Sequence, residues 1–140
     1  LLTGITFSLF KEKKSCLIYD PEELEKIFDI PVIERDLKNL SDNFLIKQII
    51  IDQKIEKINI ILDIDFQTKK IDDIRKSLDN PYKSREICFE KNISKLKEAN
   101  VNLLIISNNR KRDFLIDLSK LLKLYEVEVF GIIFESESRN

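Results

Sequence analysis

Val101-Asn102-Leu103-Leu104-Ile105-Ile106-Ser107 is an almost unbroken apolar run closed by a hydroxyl. It is short for a helix and rich in branched side chains, the pattern of a central parallel strand covered on both faces. Towards the C-terminus, Phe114, Leu118, Leu121, Leu122 and Tyr125 recur at helical spacing, and Val127 to Phe134 supplies a further strand. Towards the N-terminus, Ile58-Asn59-Ile60-Ile61-Leu62 is a second buried strand. Between the two runs the pattern predicts a helix over Thr68–Leu78, with Ile71, Ile74 and Leu78 on one stripe and Asn80-Pro81 as the break. A short strand at Glu86–Phe89 and a helix over Asn92–Ala99 follow. Strand, helix, strand, helix is the rhythm of crossover units.

Further upstream, Asp20 is a good N-cap, Pro21 suits the first helical position and Glu23 sits where a capping box puts its carboxylate. A short helix to about Phe28 is expected, ended by Pro31, and Ser41 or Asp42 can cap a second helix carrying Leu45, Ile46, Ile49 and Ile50. The expected fold is therefore α/β: a small parallel sheet of about four strands with helices on both faces, preceded by a membrane-proximal segment and short helix.

That segment is read from residues 1–14. The run Leu1 to Phe10 is too short to cross a bilayer, which takes roughly 20 apolar residues, so it reads as the last turns of a span. Lys11, Lys13 and Lys14 follow it directly, as the positive-inside bias places lysines on the cytoplasmic side, where they also face anionic lipid headgroups. The chain contains no methionine, even at position 1, and is expected to be part of a longer protein. The expected divisions are 1–10, the end of a membrane helix; 11–40, a juxtamembrane segment with a short helix and strand; 41–135, the α/β domain; and 136–140, a polar tail.

Composition removes several function classes. The chain has 140 residues, enough for one domain that folds without disulfides or metals. Its 24 basic and 25 acidic residues leave no excess positive charge for nucleic acid, and no nucleic-acid partner is expected. Cys16 and Cys88 stand far apart with no histidine anywhere, so no zinc site can be written and every Ser-His-Asp or Cys-His arrangement is excluded. Only Gly4 and Gly131 are glycines, whereas a phosphate-cradling loop needs several. No cofactor is expected.

Two stretches carry a resemblance. Residues 11–34, KEKKSCLIYDPEELEKIFDIPVIE, resemble the segment leaving the second membrane helix of polysaccharide chain-length determinants, the polysaccharide co-polymerases. Residues 99–134, ANVNLLIISNNRKRDFLIDLSKLLKLYEVEVFGIIF, are similar to the last strand-helix-strand of the nucleotide-binding domain fused to these proteins in bacterial tyrosine kinases, with Gly131 at the comparable position. The resemblance covers somewhat under half of the chain and implies a degenerate P-loop or Rossmann-like domain. The kinases need a Gly-rich Walker A loop where this chain has INIILDIDFQTKK at 58–70, and their tyrosine-rich tail is missing. Asp63 and Asp65 resemble the kinases' acidic motif that helps to hold magnesium, here without a phosphate cradle.

A rival resemblance is enzymatic. Haloacid-dehalogenase-type phosphatases also open with an apolar strand ending in Asp-x-Asp, first carboxylate nucleophile and second acid/base, and use a strand ending in Ser for the phosphate. Asp63, Asp65 and Ser107 fit that outline, and LKEANVN before the Ser107 strand resembles the family too. The Gly-Thr that should follow is replaced by Phe66-Gln67, with Thr68 one place late, and no room remains for the later lysine and paired-acid motifs.

Arg110-Lys111-Arg112 opens the long helix, where the macrodipole disfavours cations, and so marks a possible contact with an anion or an acidic partner. The function expected from the first resemblance is non-catalytic: a domain on the cytoplasmic face of the inner membrane that helps to regulate chain length in surface polysaccharide biosynthesis. The family implies homo-oligomerisation and contact with a polysaccharide polymerase. The alternative is a haloacid-dehalogenase-like phosphatase using Asp63 and Asp65.

Overall fold

The computed structural model describes residues 17–18, 20–52, 54–63, 66–79, 85–108 and 110–135. Along the chain run strand β1 (Leu17–Ile18), helix α1 (Pro21–Phe28), β2 (Val32–Glu34), a 3-10 segment (Leu37–Asp42), α2 (Phe44–Ile51), β3 (Lys57–Leu62), α3 (Thr68–Leu78) and β4 (Glu86–Glu90). A 3-10 turn (Ile93–Lys95), β5 (Val101–Ser107), β6 (Arg110–Lys111), α4 (Arg112–Leu124) and β7 (Gly131–Glu135) follow.

The main sheet has five strands in the order β2-β7-β5-β3-β4, and every neighbouring pair is parallel. The fold class is the expected α/β arrangement, with one strand more than the expected four. That strand is β2. Residues 20–40, grouped in the sequence with the membrane-proximal part, supply it and helix α1: β2 pairs with β7, and Leu24 and Phe28 of α1 pack in the same cluster as Leu115, Leu118 and Leu122 of α4.

The layers follow from handedness. Crossovers β2→β3 and β3→β4 travel one way across the sheet, while β4→β5 and β5→β7 travel the other way, so a constant right-handed sense puts them on opposite faces. One face accordingly buries Leu40, Ile46, Ile49, Ile74 and Leu78 against Ile58, Ile60, Leu103 and Ile105. The other buries Leu24, Phe28, Ile93, Leu115 and Leu118 against Ile61, Leu104, Ile106, Ile132 and Phe134. Strand β5, next to the middle of both clusters, is the near-continuous apolar run of the sequence because it has no solvent face.

Local chemistry sets most element ends. Asp20 Oδ1 accepts from Glu22 N at 3.0 Å to cap α1, and Asp29 ends that helix in a left-handed conformation, donating its N–H to Glu25 O. The cap of α2 is Asn43, whose Oδ1 accepts from Leu45 N and Ile46 N, and not Ser41 or Asp42. Those two residues belong to a 3-10 segment with its own cap, Asp36. The carbonyls ending α2 are closed by Arg85, which donates to Ile49 O and Ile50 O at 2.8 Å.

The helix expected over Asn92–Ala99 shrinks to the single 3-10 turn. Asn59 Nδ2 donates to Lys97 O, and Asn100 Oδ1 accepts from Glu56 N and Lys57 N, so the chain is drawn out extended to start β5 beside β3. The last strand begins at Gly131 and not at Val127. Val127 N closes the end of α4 on Leu122 O, and Val127 and Val129 pack on the α4 side.

Gly131 starts β7 directly beside β2. A Cβ there would lie 2.7 Å from Ile33 Cγ2. Gly131→Ala is therefore expected to destabilise by about 1–3 kcal/mol through overpacking, and Ile33→Ala in the same chain to recover part of that loss. A double-mutant cycle on urea unfolding measures the coupling.

Among the described residues no helix is long and apolar enough to cross a membrane. The run 1–10, Lys11, Lys13, Lys14 and the tail 136–140 lie outside the described residues.

Candidate functional site

In a doubly wound sheet, ligands bind outside the carboxyl ends of the strands where successive connections leave in opposite directions. Here that point lies between β3 and β5. The chain leaves β3 for α3 on one face and leaves β5 for α4 on the other. Asp63 directly follows β3 and Ser107 ends β5, so the fold brings to this point two residues separated by 44 positions in the chain.

They are joined twice. Asp63 Oδ2 accepts from the Ser107 backbone N–H at 2.8 Å, and Asp63 Oδ1 accepts from Ser107 Oγ at 3.0 Å. Arg110 reaches the same carboxylate, its Nε 3.4 Å from Asp63 Oδ2, while its guanidinium lies over the Phe114 ring, 4.5 Å from the centroid. Of the basic triplet, Arg110 thus turns to the strand ends. Arg112 pairs instead with Glu23 of α1 at 3.4 Å, and Lys111 pairs with Leu17 in the short antiparallel ribbon β1–β6.

Two further residues approach the same edge. Lys70, in the first turn of α3, forms an ion pair with Glu135, the register partner of Ser107 at the end of β7, and Lys70 Nζ sits 5.0 Å from the centroid of Phe66. Neither Lys70 nor Glu135 stands out in the sequence, where both are charges in charged surroundings. The available signal is positional: one is the second of the two lysines that follow the Asp-x-Asp strand, the other the first acid after the final apolar strand.

The Asp63 side chain has 0% exposure. Burial pushes its pKa above the ordinary 3.8, and the hydrogen bonds from Ser107 and the charge of Arg110 offset part of that rise. The folded protein therefore holds the Asp63 proton to a higher pH than the unfolded chain does. Between the two values the folded state binds more protons, so this group's contribution to stability falls as the pH rises from the ordinary carboxylate value through the raised one. Asp63→Asn is expected to flatten that part of the profile, as read from urea midpoints of parent and variant from about pH 3 upwards.

Asp65, the second acid of the motif, lies outside the described residues. Among the described residues no group of three or more Cys, Asp or Glu side chains could hold a metal ion. Asp63 by itself offers hard oxygen donors. Both of its oxygens accept a hydrogen bond from Ser107, and Arg110 Nε, 3.4 Å away, contributes charge without a hydrogen bond. Cys88 has no disulfide partner among the described residues.

No family model matches the chain, and no curated protein or solved structure matches it either. Function is therefore argued from the site alone.

Proposed function

We propose that this domain binds and hydrolyses phosphate esters in the manner of haloacid-dehalogenase-type phosphatases, with Asp63 as nucleophile, Asp65 as acid/base and the Ser107 hydroxyl as a phosphate contact. The observation that carries the reading is the meeting of Asp63 and Ser107 at the reversal point of the sheet, with Arg110 and Lys70 bringing positive charge to the same edge. An ester phosphate needs a nucleophile on one side and cations on its oxygens; at this edge Asp63 supplies the carboxylate, and the cations are Arg110, paired with Asp63, and Lys70, paired with Glu135.

The chemistry balances with the chain's own carboxylates. An Asp63 oxygen bonds to phosphorus as the bond from phosphorus to the ester oxygen breaks, and Asp65 gives its proton to the leaving alkoxide. Asp65 then takes a proton from water, whose oxygen attacks the same phosphorus and frees the Asp63 carboxylate with inorganic phosphate. Asp63 and Asp65 are the hard-oxygen residues that would hold a magnesium ion on this reading, and when bound the ion would neutralise charge on the phosphoryl oxygens.

The test is hydrolysis of a simple aryl phosphate by the purified chain, with and without magnesium, in the parent, Asp63→Asn and Asp65→Asn. Magnesium-dependent turnover lost in both variants is the expected result. Turnover that both variants retain would sink the reading.

A second reading is favoured by one specific observation. An Asp63 side chain with no exposure and both oxygens bonded also suits a purely structural clamp between β3 and β5. On that reading the chain is the non-catalytic cytoplasmic domain of an inner-membrane polysaccharide co-polymerase, and the parent shows no magnesium-dependent turnover. Deleting the domain from the whole protein then changes the length distribution of the exported glycan.

A further inference from the structure

Helices α1 and α4 cross on one face of the sheet, fixed to each other by Ser119 Oγ, which donates to Ile27 O at 3.1 Å. Between them lies an open groove of about 250 Å³ lined by Lys26, Arg112, Lys120 and Lys123 over Ile27, Ile116 and Ser119. Its lining has four cations and no acid. Arg112 is paired with Glu23, while Lys26, Lys120 and Lys123 have no ion-pair partner among the described residues. At 100° per residue, Arg112, Ile116, Lys120 and Lys123 share one strip of α4, and Asp113 and Asp117 fall on the strip beside it.

Leu17 pairs with Lys111, directly before the first residue of α4. In the sequence Lys13 and Lys14 precede Leu17 by four and three positions. Beyond them in the sequence stands the apolar run 1–10.

We propose that the α1–α4 face docks on the anionic surface of a lipid bilayer, with Lys26, Lys120 and Lys123 on headgroup phosphates. The cations at the rim meet the phosphates, and the half-buried Ile27 and Ile116 with the lysine stems form the apolar floor beneath them. Charge complementarity favours a surface over a single soluble anion, because the cations Arg112, Lys120 and Lys123 extend along the helix beyond the reach of one phosphate. The inference does not depend on the Asp63 chemistry, which lies at the strand ends.

The test uses the whole 140-residue chain and vesicles of phosphatidylcholine alone or with phosphatidylserine. Sedimentation should show salt-sensitive binding to the anionic vesicles only. The triple change Lys26→Gln, Lys120→Gln and Lys123→Gln should weaken it on the order of a hundred-fold, with an unchanged circular dichroism spectrum. Orientation is read with Cys16 and Cys88 replaced by serine and an environment-sensitive dye on Lys120→Cys or on Lys76→Cys of α3. Vesicles should shift the dye at 120 and leave the dye at 76 unmoved. Equal binding to neutral vesicles, undiminished binding of the triple variant, equal response of the two dyes, or absence of vesicle binding in favour of an acidic protein would each overturn the proposal.

Discussion

On the proposed phosphatase reading, Asp63→Asn is expected to lower magnesium-dependent phosphate-ester hydrolysis at least about a thousand-fold, the scale on which removal of a nucleophile acts. The substitution isolates chemistry from folding because the amide fits the same hydrogen bonds. Its oxygen can accept from the Ser107 N–H in place of Asp63 Oδ2, and its NH₂ can donate to Ser107 Oγ, a hydroxyl free to turn round and accept. Only the contact with Arg110, 3.4 Å from Oδ2 in the parent, loses its charge. A folded, inactive variant is therefore expected, checked by comparing kcat with the urea midpoint of the same preparation. Asp63→Ala behaves differently. It strands a buried N–H and a hydroxyl between β3 and β5 and costs stability as well, about 1–3 kcal/mol for the unsatisfied groups.

Leu104→Ala is expected to lower the unfolding free energy by about 3–5 kcal/mol, out of the roughly 5–15 kcal/mol that a domain of this kind has. Leu104 has 0% exposure in β5 and stands in register between Ile61 of β3 and Ile132 of β7. The same cluster contains Leu115, Leu118 and Leu122 of α4. Neighbours on both strands and the helix above hold the lost volume open, because the sheet cannot close laterally without breaking its ladders. Leu124→Ala supplies the contrast: the side chain is 72% exposed, and its removal should stay within about 0.5 kcal/mol. Urea unfolding of the two variants separates a core that carries the fold from apolar surface that does not.

The candidate site was partly legible. Asp63 and Ser107 each close an apolar run, and strand ends are where an α/β sheet keeps its chemistry. Arg110 was visible as a cation at a helix start, but its true partner, the Asp63 carboxylate, was not, since the loop between β5 and α4 decides which way the side chain turns. Lys70 and Glu135 were invisible because their pairing needs α3 and β7 to meet over the end of β5.

The sequence by itself determined the elements whose signal is local. Helix α3 spans Thr68–Leu78 as its stripe of Ile71, Ile74 and Leu78 requires, α1 spans Pro21–Phe28 between a side-chain cap and a left-handed stop, and β5 follows its apolar run. Tertiary structure decided the rest. It set β5 between β3 and β7, moved β2 from the lead-in to the edge of the sheet, and turned most of the expected helix at Asn92–Ala99 into an extended tether held by Asn59 and Asn100. The physical reason is that periodicity reports which face of an element is apolar, not which neighbour covers it. Strand order is chosen only when both faces of the sheet and the handedness of every crossover are satisfied together.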